Sequence, residues 1–359
     1  MVVQRKTLME SLKLAMPGIE TGNTTLPGAD AFIFHNGKIY SYNDLVSVAV
    51  PLEQAGLIEE SIEGAVHADE FYKVVSKFSS EEIEFSTGDK AWVLKNGKSK
   101  AELTLMDFDY SSRLEGVEPA ESWDELPADF ADGLGVCLMG NNKTPMAGIY
   151  VSGDFMLSTD GWQVNRYQFP QGTNLPVFWL SDRVVSELLK LGKLDAVQLN
   201  GNWVHFRLAN EAVLSVKGLA TGKFPLEDVE KVMEIADGKE GFLHGKFPLE
   251  MFSAIDRAVP FSIDTAEKPA VKLTLSQDGI NVESARSTGS YTENVPWNEA
   301  MPEFEEVSVY VDPLMMAFIA KRSTEFYLVE QTLKSGKKTK RLLFVTSSST
   351  HLVSTISVA

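Results

Sequence analysis

Apolar positions along this chain recur with two periods, and stretches of each alternate. Over residues 7–18, Leu8, Leu12, Ala15 and Met16 fall on one helical face. Phe130, Leu134, Cys137 and Leu138 repeat the pattern over 129–140, and Met251, Ile255, Ala258 and Val259 repeat it over 250–261. The interval from Leu8 to Phe130 is 122 positions, and that from Phe130 to Met251 is 121. A second helix is predicted in each repeat. Phe71, Val74, Val75 and Phe78 mark one over 65–78. Ser181 caps the one within 177–191. Asp312 caps, and Pro313 opens, the one within 309–320.

Between the helices the period drops to two. Hairpins are expected at Asn36-Gly37, Gly153 and Asp278-Gly279. Further strands are expected over 82–86, 91–95 and 101–106, then 196–199, 203–208 and 212–216, then 325–330, 340–346 and 351–356. The richest stretch is 146–169. There Ile149, Val151, Phe155 and Leu157 alternate around Ser152-Gly153-Asp154, a second turn follows at Ser158-Thr159-Asp160-Gly161, and Trp162, Val164 and Tyr167 continue the apolar edge. Each repeat thus reads helix, strands, helix, strands. The fold class is α+β: three repeated domains, 1–117, 118–236 and 237–359, each with two helices packed on antiparallel sheets. The boundaries fall in the acidic stretches 115–124 and 228–241.

Composition narrows the function. Hydrophobic content of 44% is enough for real cores. A single cysteine, Cys137, rules out an internal disulfide framework and fits a reducing compartment. No apolar run approaches the ~18 residues of a membrane helix, and the N-terminus lacks a secretory h-region, so a cytoplasmic protein without membrane contact is expected. The net charge of −17 excludes a protein that coats DNA with its whole outer surface; nucleic acid would have to meet a local basic face.

Catalytic chemistry finds little support. The five histidines are scattered and no Cys or His pair has metal-ligand spacing, so neither metal nor cofactor is expected. Gly218–Lys223 has three residues between its glycines, and Phe224 stands where a phosphate loop needs Ser or Thr. Ser158-Thr159-Asp160 is read as a turn and not as a nucleophile. Basic side chains do collect on the helices: Lys6, Lys13, Lys73, Lys77, Arg183, Lys190, Lys193, Arg257, Lys321 and Arg322, with Lys143 beyond the third. Two readings stay open. Acids at helix N-termini with bases at C-termini complement the helix dipole at about 0.3–1 kcal/mol each, or the bases form a nucleic-acid surface.

The three-fold repeat resembles the bacterial replication sliding clamp, the beta subunit of the replicative DNA polymerase. Ser158-Thr159-Asp160-Gly161-Trp162-Gln163-Val164 looks like that family's A-T-D-G-H-R-L, and Gly222-Lys223-Phe224-Pro225 like its G-R-F-P. Lys95–Lys100 followed by an alternating strand adds support. The resemblance implies a non-catalytic processivity factor. It would be a head-to-tail homodimer forming a six-domain ring around double-stranded DNA, with helices lining the hole. Contacts to phosphate there read no sequence. Replicative DNA polymerase and a clamp loader are the implied protein partners. The competing class is a non-catalytic β-rich structural or adhesin-like virion protein, which has no reason to keep the helix spacing.

By position, the resemblance also implies an apolar peptide pocket walled by Met146, Thr159, Gly161, Trp162, Gln163, Val164, Pro225, Val229, Leu352 and Val353. It implies a dimer edge at Ala101, Leu103 and Leu105, paired with the strand around 304–310 and with Phe261 nearby. Trp162 and Gln163 replace the family's His and Arg, Leu-Glu-Asp follows Pro225, and the chain ends I-S-V-A. A divergent clamp, phage-encoded, with an altered peptide preference is the expectation.

Overall fold

The computed structural model describes residues 1–22, 25–58, 62–138, 148–237, 243–264, 269–332 and 338–356. Among them the helices are α1 (Arg5–Ala15), α2 (Ala68–Lys77), α3 (Ser111–Glu115), α4 (Phe130–Cys137), α5 (Asp182–Leu188), α6 (Leu226–Asp237), α7 (Leu249–Ala258) and α8 (Pro313–Ala320). The six helices expected from apolar spacing are all present. Ser181 Oγ accepts from Val184 N and Asp312 Oδ1 accepts from Leu314 N, as N-caps should. The pairings between neighbouring strands described below are antiparallel, and the fold class is α+β.

The chain condenses into two compact units, each assembled from separated stretches. One holds residues 1–135, 151–153 and 173–221; the other holds 136–150, 154–172 and 222–359. In the first unit a four-stranded sheet runs Val2–Gln4, Glu82–Ser86, Ala91–Asn96, Ser99–Thr104. An eight-stranded sheet runs Gly64–His67, Ala31–His35, Lys38–Tyr42, Val46–Pro51, Val213–Lys217, Trp203–Leu208, Leu194–Asn200, Asp124–Glu125. The hairpin at Asn36-Gly37 takes positive φ at both positions (47° and 72°), the geometry that matches strand twist. Aromatic rings fill the core: Phe34 meets Trp92 edge-on at 4.7 Å and Phe71 at 5.9 Å.

In the second unit the long sheet runs Phe155–Thr159, Gln163–Gln168, Ser349–Ser354, Lys338–Val345, Glu325–Thr332, Leu243–Lys246. A further sheet runs Gly289–Val295, Gly279–Arg286, Pro269–Ser276, with Val307–Val311 on the far edge of the last. Phe247 stacks on Phe326 at 3.8 Å, and this pair sits among Met251, Ile255, Leu273, Val282, Met316 and Ile319 from α7, α8 and the sheet.

One stretch departs from expectation. Residues 228–241 read as an acidic boundary, yet Leu226–Asp237 is helix. Val229 and Met233 are buried one turn apart, acids occupy the first turn, and Lys231 pairs with Glu227 at i,i+4. Charge hid an amphipathic face.

Candidate functional site

The turn after Phe155–Thr159 is built by side chains that bond their own backbone. Asp160 Oδ1 accepts from Trp162 N at 2.8 Å and from Gln163 N at 2.9 Å. Thr159 Oγ1 donates to Gln163 O at 2.8 Å and accepts from Gly161 N at 3.1 Å. Gly161 sits at φ +87°, where a Cβ is disfavoured. Ser158 is fully buried and donates to Cys137 O at 2.6 Å, so its hydroxyl is committed to structure. Burial pushes the Cys137 thiol up to about 12, which leaves it protonated and unreactive.

Strand register then assembles most of the expected pocket residues. Val164 lies opposite Leu352, and Gln163 opposite Val353. Ser354 N donates to Trp162 O at 2.8 Å. Pro225 stands directly before α6, whose Val229 N bonds Pro225 O at 3.0 Å, and Phe224 stacks on Tyr150 at 4.7 Å to anchor that start. Thr159, Gln163, Val164, Val229, Leu352 and Val353 are buried; Gly161 is exposed, and Trp162 and Pro225 are half-buried. Trp162 packs, partly buried, against the core cluster that includes Phe247 and Phe326. Gln163 Oε1 is buried without a partner among the described residues. Met146 lies outside the described residues.

Beside this turn, α6 and the strands enclose a cavity of about 220 Å³ lined by Phe155, Leu157, Arg166, Gln168, Glu230, Met233 and Glu234. Sequence reading missed it because it missed α6; the Leu226–Val229–Met233 spacing carried the signal. Behind the turn, a polar row crosses the sheet. Ser158, Asn165 and His351 are cross-strand neighbours, and His351 Nδ1 lies 2.9 Å from Asn165 Oδ1. Burial, aided by the positive Arg322, pushes the His351 pKa down to about 4, so the ring is neutral.

The basic helix residues fall into two groups. Lys6, Lys13, Lys77, Arg183, Lys193 and Lys321 present exposed side chains. Others are engaged. Lys73 pairs with Asp69 along α2, and Lys190, in the turn after α5, pairs with Glu187. Arg257 makes a bidentate pair with Glu293 (both 2.8 Å) and donates to Tyr291 Oη at 2.9 Å. Arg322 folds over the Phe318 ring at 3.6 Å and donates to Phe318 O. Lys143 lies outside the described residues.

The strand Ser99–Thr104 is an edge of its sheet; Leu103 is buried, while Ala101 and the following Leu105 are half-buried. Phe261 ends a 3-10 turn, and a Cβ on Gly289 would come within 2.8 Å of its ring. Phe261 therefore stands at the edge strand Gly289–Val295. The strand Val307–Val311, expected beside it, forms the opposite edge of that sheet.

Among the described residues no group of three or more His, Cys, Asp or Glu could hold a metal ion, and no helix is long and apolar enough to cross a membrane. No protein-family profile matches the sequence. No curated protein matches it either. The architecture, by contrast, is that of a DNA clamp. The beta subunit of DNA polymerase from Streptococcus pyogenes matches with a TM-score of 0.79 at 16% identity, over 99% of each chain. The DNA polymerase sliding clamp from Bacillus subtilis matches at 0.76 and 16%, over 100% of this chain and 99% of that one. A DNA polymerase III beta sliding clamp from Bartonella birtlesii, bound to griselimycin, matches at 0.77 and 20%, over 99% of each. The chain has the fold of the bacterial sliding clamp from end to end.

Proposed function

We propose that this protein is a DNA polymerase processivity factor, a ring that encircles duplex DNA and tethers a polymerase. The observation that carries the reading is the end-to-end likeness to bacterial beta clamps at 16–20% identity. In this reading the three repeats, 1–117, 118–236 and 237–359, are clamp domains, and two subunits close a six-domain ring. Each joint adds the edge Ser99–Thr104 of one subunit to the edge Gly289–Val295 of the next, with Phe261 packed beside it. Lys6, Lys13, Lys77, Arg183, Lys193 and Lys321 supply phosphate contacts that are weak, salt-sensitive and blind to sequence, so the ring can slide. The remaining acidic surface discourages DNA from binding elsewhere. The proposed role is non-catalytic and cytoplasmic, and a clamp loader opens the ring.

The turn at Asp160 serves as the tether. Its bonds fix exposed Gly161 and half-buried Trp162, and the Gln163–Gln168 strand stiffens the base. A partner peptide buries one or two apolar side chains against Trp162, each contributing about 1.5–3 kcal/mol before ordering costs. Retention on DNA tests the proposal. Protein loaded onto closed circular DNA should stay bound, and should leave when the circle is cut once. Equal retention on both forms would refute encirclement.

A further inference from the structure

We propose a second peptide-docking groove, on the first compact unit, for a short apolar peptide carrying one acidic side chain. The turn between Lys38–Tyr42 and Val46–Pro51 repeats the two bonds of the Asp160 carboxylate and the cross-strand bond that follows them. Asn43 Oδ1 accepts from Leu45 N at 2.9 Å and Val46 N at 2.8 Å. Lys217 N donates to Leu45 O at 2.8 Å, as Ser354 N donates to Trp162 O. Leu45 thus holds the place on its turn that Trp162 holds on the other, and it is 52% exposed.

Next to it lies a cavity of about 350 Å³ over the ends of three strands. Val177 and Leu199 in its lining are 45% and 39% exposed, and half-buried Trp203 faces Tyr42 at 6.3 Å. Large apolar side chains left in water at one place mark a contact surface. The volume is at the low end of the ~300–1,000 Å³ typical of concave sites, which suits two side chains and not a folded face. Charge names the occupant. Lys217 is the sole charged residue in the lining, on a chain of net charge −17. One acid on the peptide meets that ammonium within a Debye length; a run of acids meets the field of the whole protein.

The test uses full-length Trp162→Ala protein, which removes the anchor of the tether site, and the fluorescein-labelled peptide Gly-Ile-Asp-Phe-Gly-Ser in an anisotropy titration. Binding should persist in this background and weaken about tenfold or more on adding Leu199→Asp. Lys217→Glu, an exposed change that spares the fold, should weaken the Asp peptide and strengthen its Lys counterpart. The groove is overturned if Trp162→Ala abolishes all binding, if Leu199→Asp leaves it unchanged, or if Lys217→Glu shows no exchange of preference. DNA retention reports on the clamp reading separately.

Discussion

Replacing Asp160 with Ala removes the two bonds by which its Oδ1 shapes the tether turn and leaves the two made by Thr159. Asp160 is buried, and its Oδ1 accepts from two backbone amides at 2.8 and 2.9 Å. Hydrogen bonds to a charged group contribute about 1.5–3 kcal/mol each, and a buried amide left without a partner costs about 1–3 kcal/mol. Water will reach the Trp162 amide, which is only part-buried, but will reach the Gln163 amide far less. A loss of about 3 kcal/mol is therefore expected. For a unit of this size that corresponds to a fall of roughly 6–12 °C in the melting temperature. Asp160→Asn keeps an acceptor oxygen in place and should lose about 1 kcal/mol. Scanning calorimetry of both variants gives the comparison. Peptide affinity should fall with Ala and hold with Asn, because the Trp162 and Gln163 amides are held by those two bonds. If Asp160→Ala melts with wild type, or if Asn and Ala are equally damaging, the turn does not rest on this acceptor and the reasoning fails.

Three further outcomes follow from the same geometry. Phe261→Asp places a charge beside the edge Gly289–Val295 and should shift a dimer toward monomer in sedimentation velocity; an unchanged dimer counts against that edge as a joint. Lys6→Glu with Lys77→Glu should lower loading on circular DNA and flatten its salt dependence, whereas Arg257→Ala, already paired with Glu293, should change loading little. Burial pushes both His205 and His351 down to about 4, below the unfolded value near 6.5. The unfolded chain then binds more protons between these limits, so stability is full above pH ~6.5 and declines as pH falls toward 4. The urea midpoint should drop from pH 7.5 to pH 5, and His205→Gln with His351→Gln should lessen that drop; an equal slope in the double variant rejects this origin.

Much of the architecture was legible because it follows from local periods. Leu8, Leu12 and Ala15 repeat every turn, and Asn36-Gly37 can only be a tight hairpin. The Thr159–Gly161 turn was legible for the same reason, since its bonds span four residues or fewer. What was hidden depends on pairings made far along the chain. Asn165 and His351 are 186 positions apart, and neither reads as buried until their strands meet. Arg257 reads as a free base until Glu293 arrives from another element. Trp162 reads as an outward anchor, yet it is partly buried against a core that holds α7 and the sheet beyond it. Helix α6 was lost for a different reason: two of the three residues between Val229 and Met233 are charged, acids precede and follow them, and composition outweighed spacing.

The pairing of Gln163–Gln168 with Ser349–Ser354 carries a temporal consequence. The second strand begins 181 residues after the first ends. At a synthesis rate of about 5–20 residues per second, the first strand leaves the ribosome roughly 10–35 s before its neighbour exists. Val46–Pro51 waits in the same way for Val213–Lys217. Through that interval each nascent chain carries strand edges with unpaired backbone groups, and neighbouring nascent chains on one message offer the same edges to each other. Yield of this protein in the cell is thus governed by how those waiting strands are shielded, and slowing translation should aggravate aggregation where it would help a protein of local pairings.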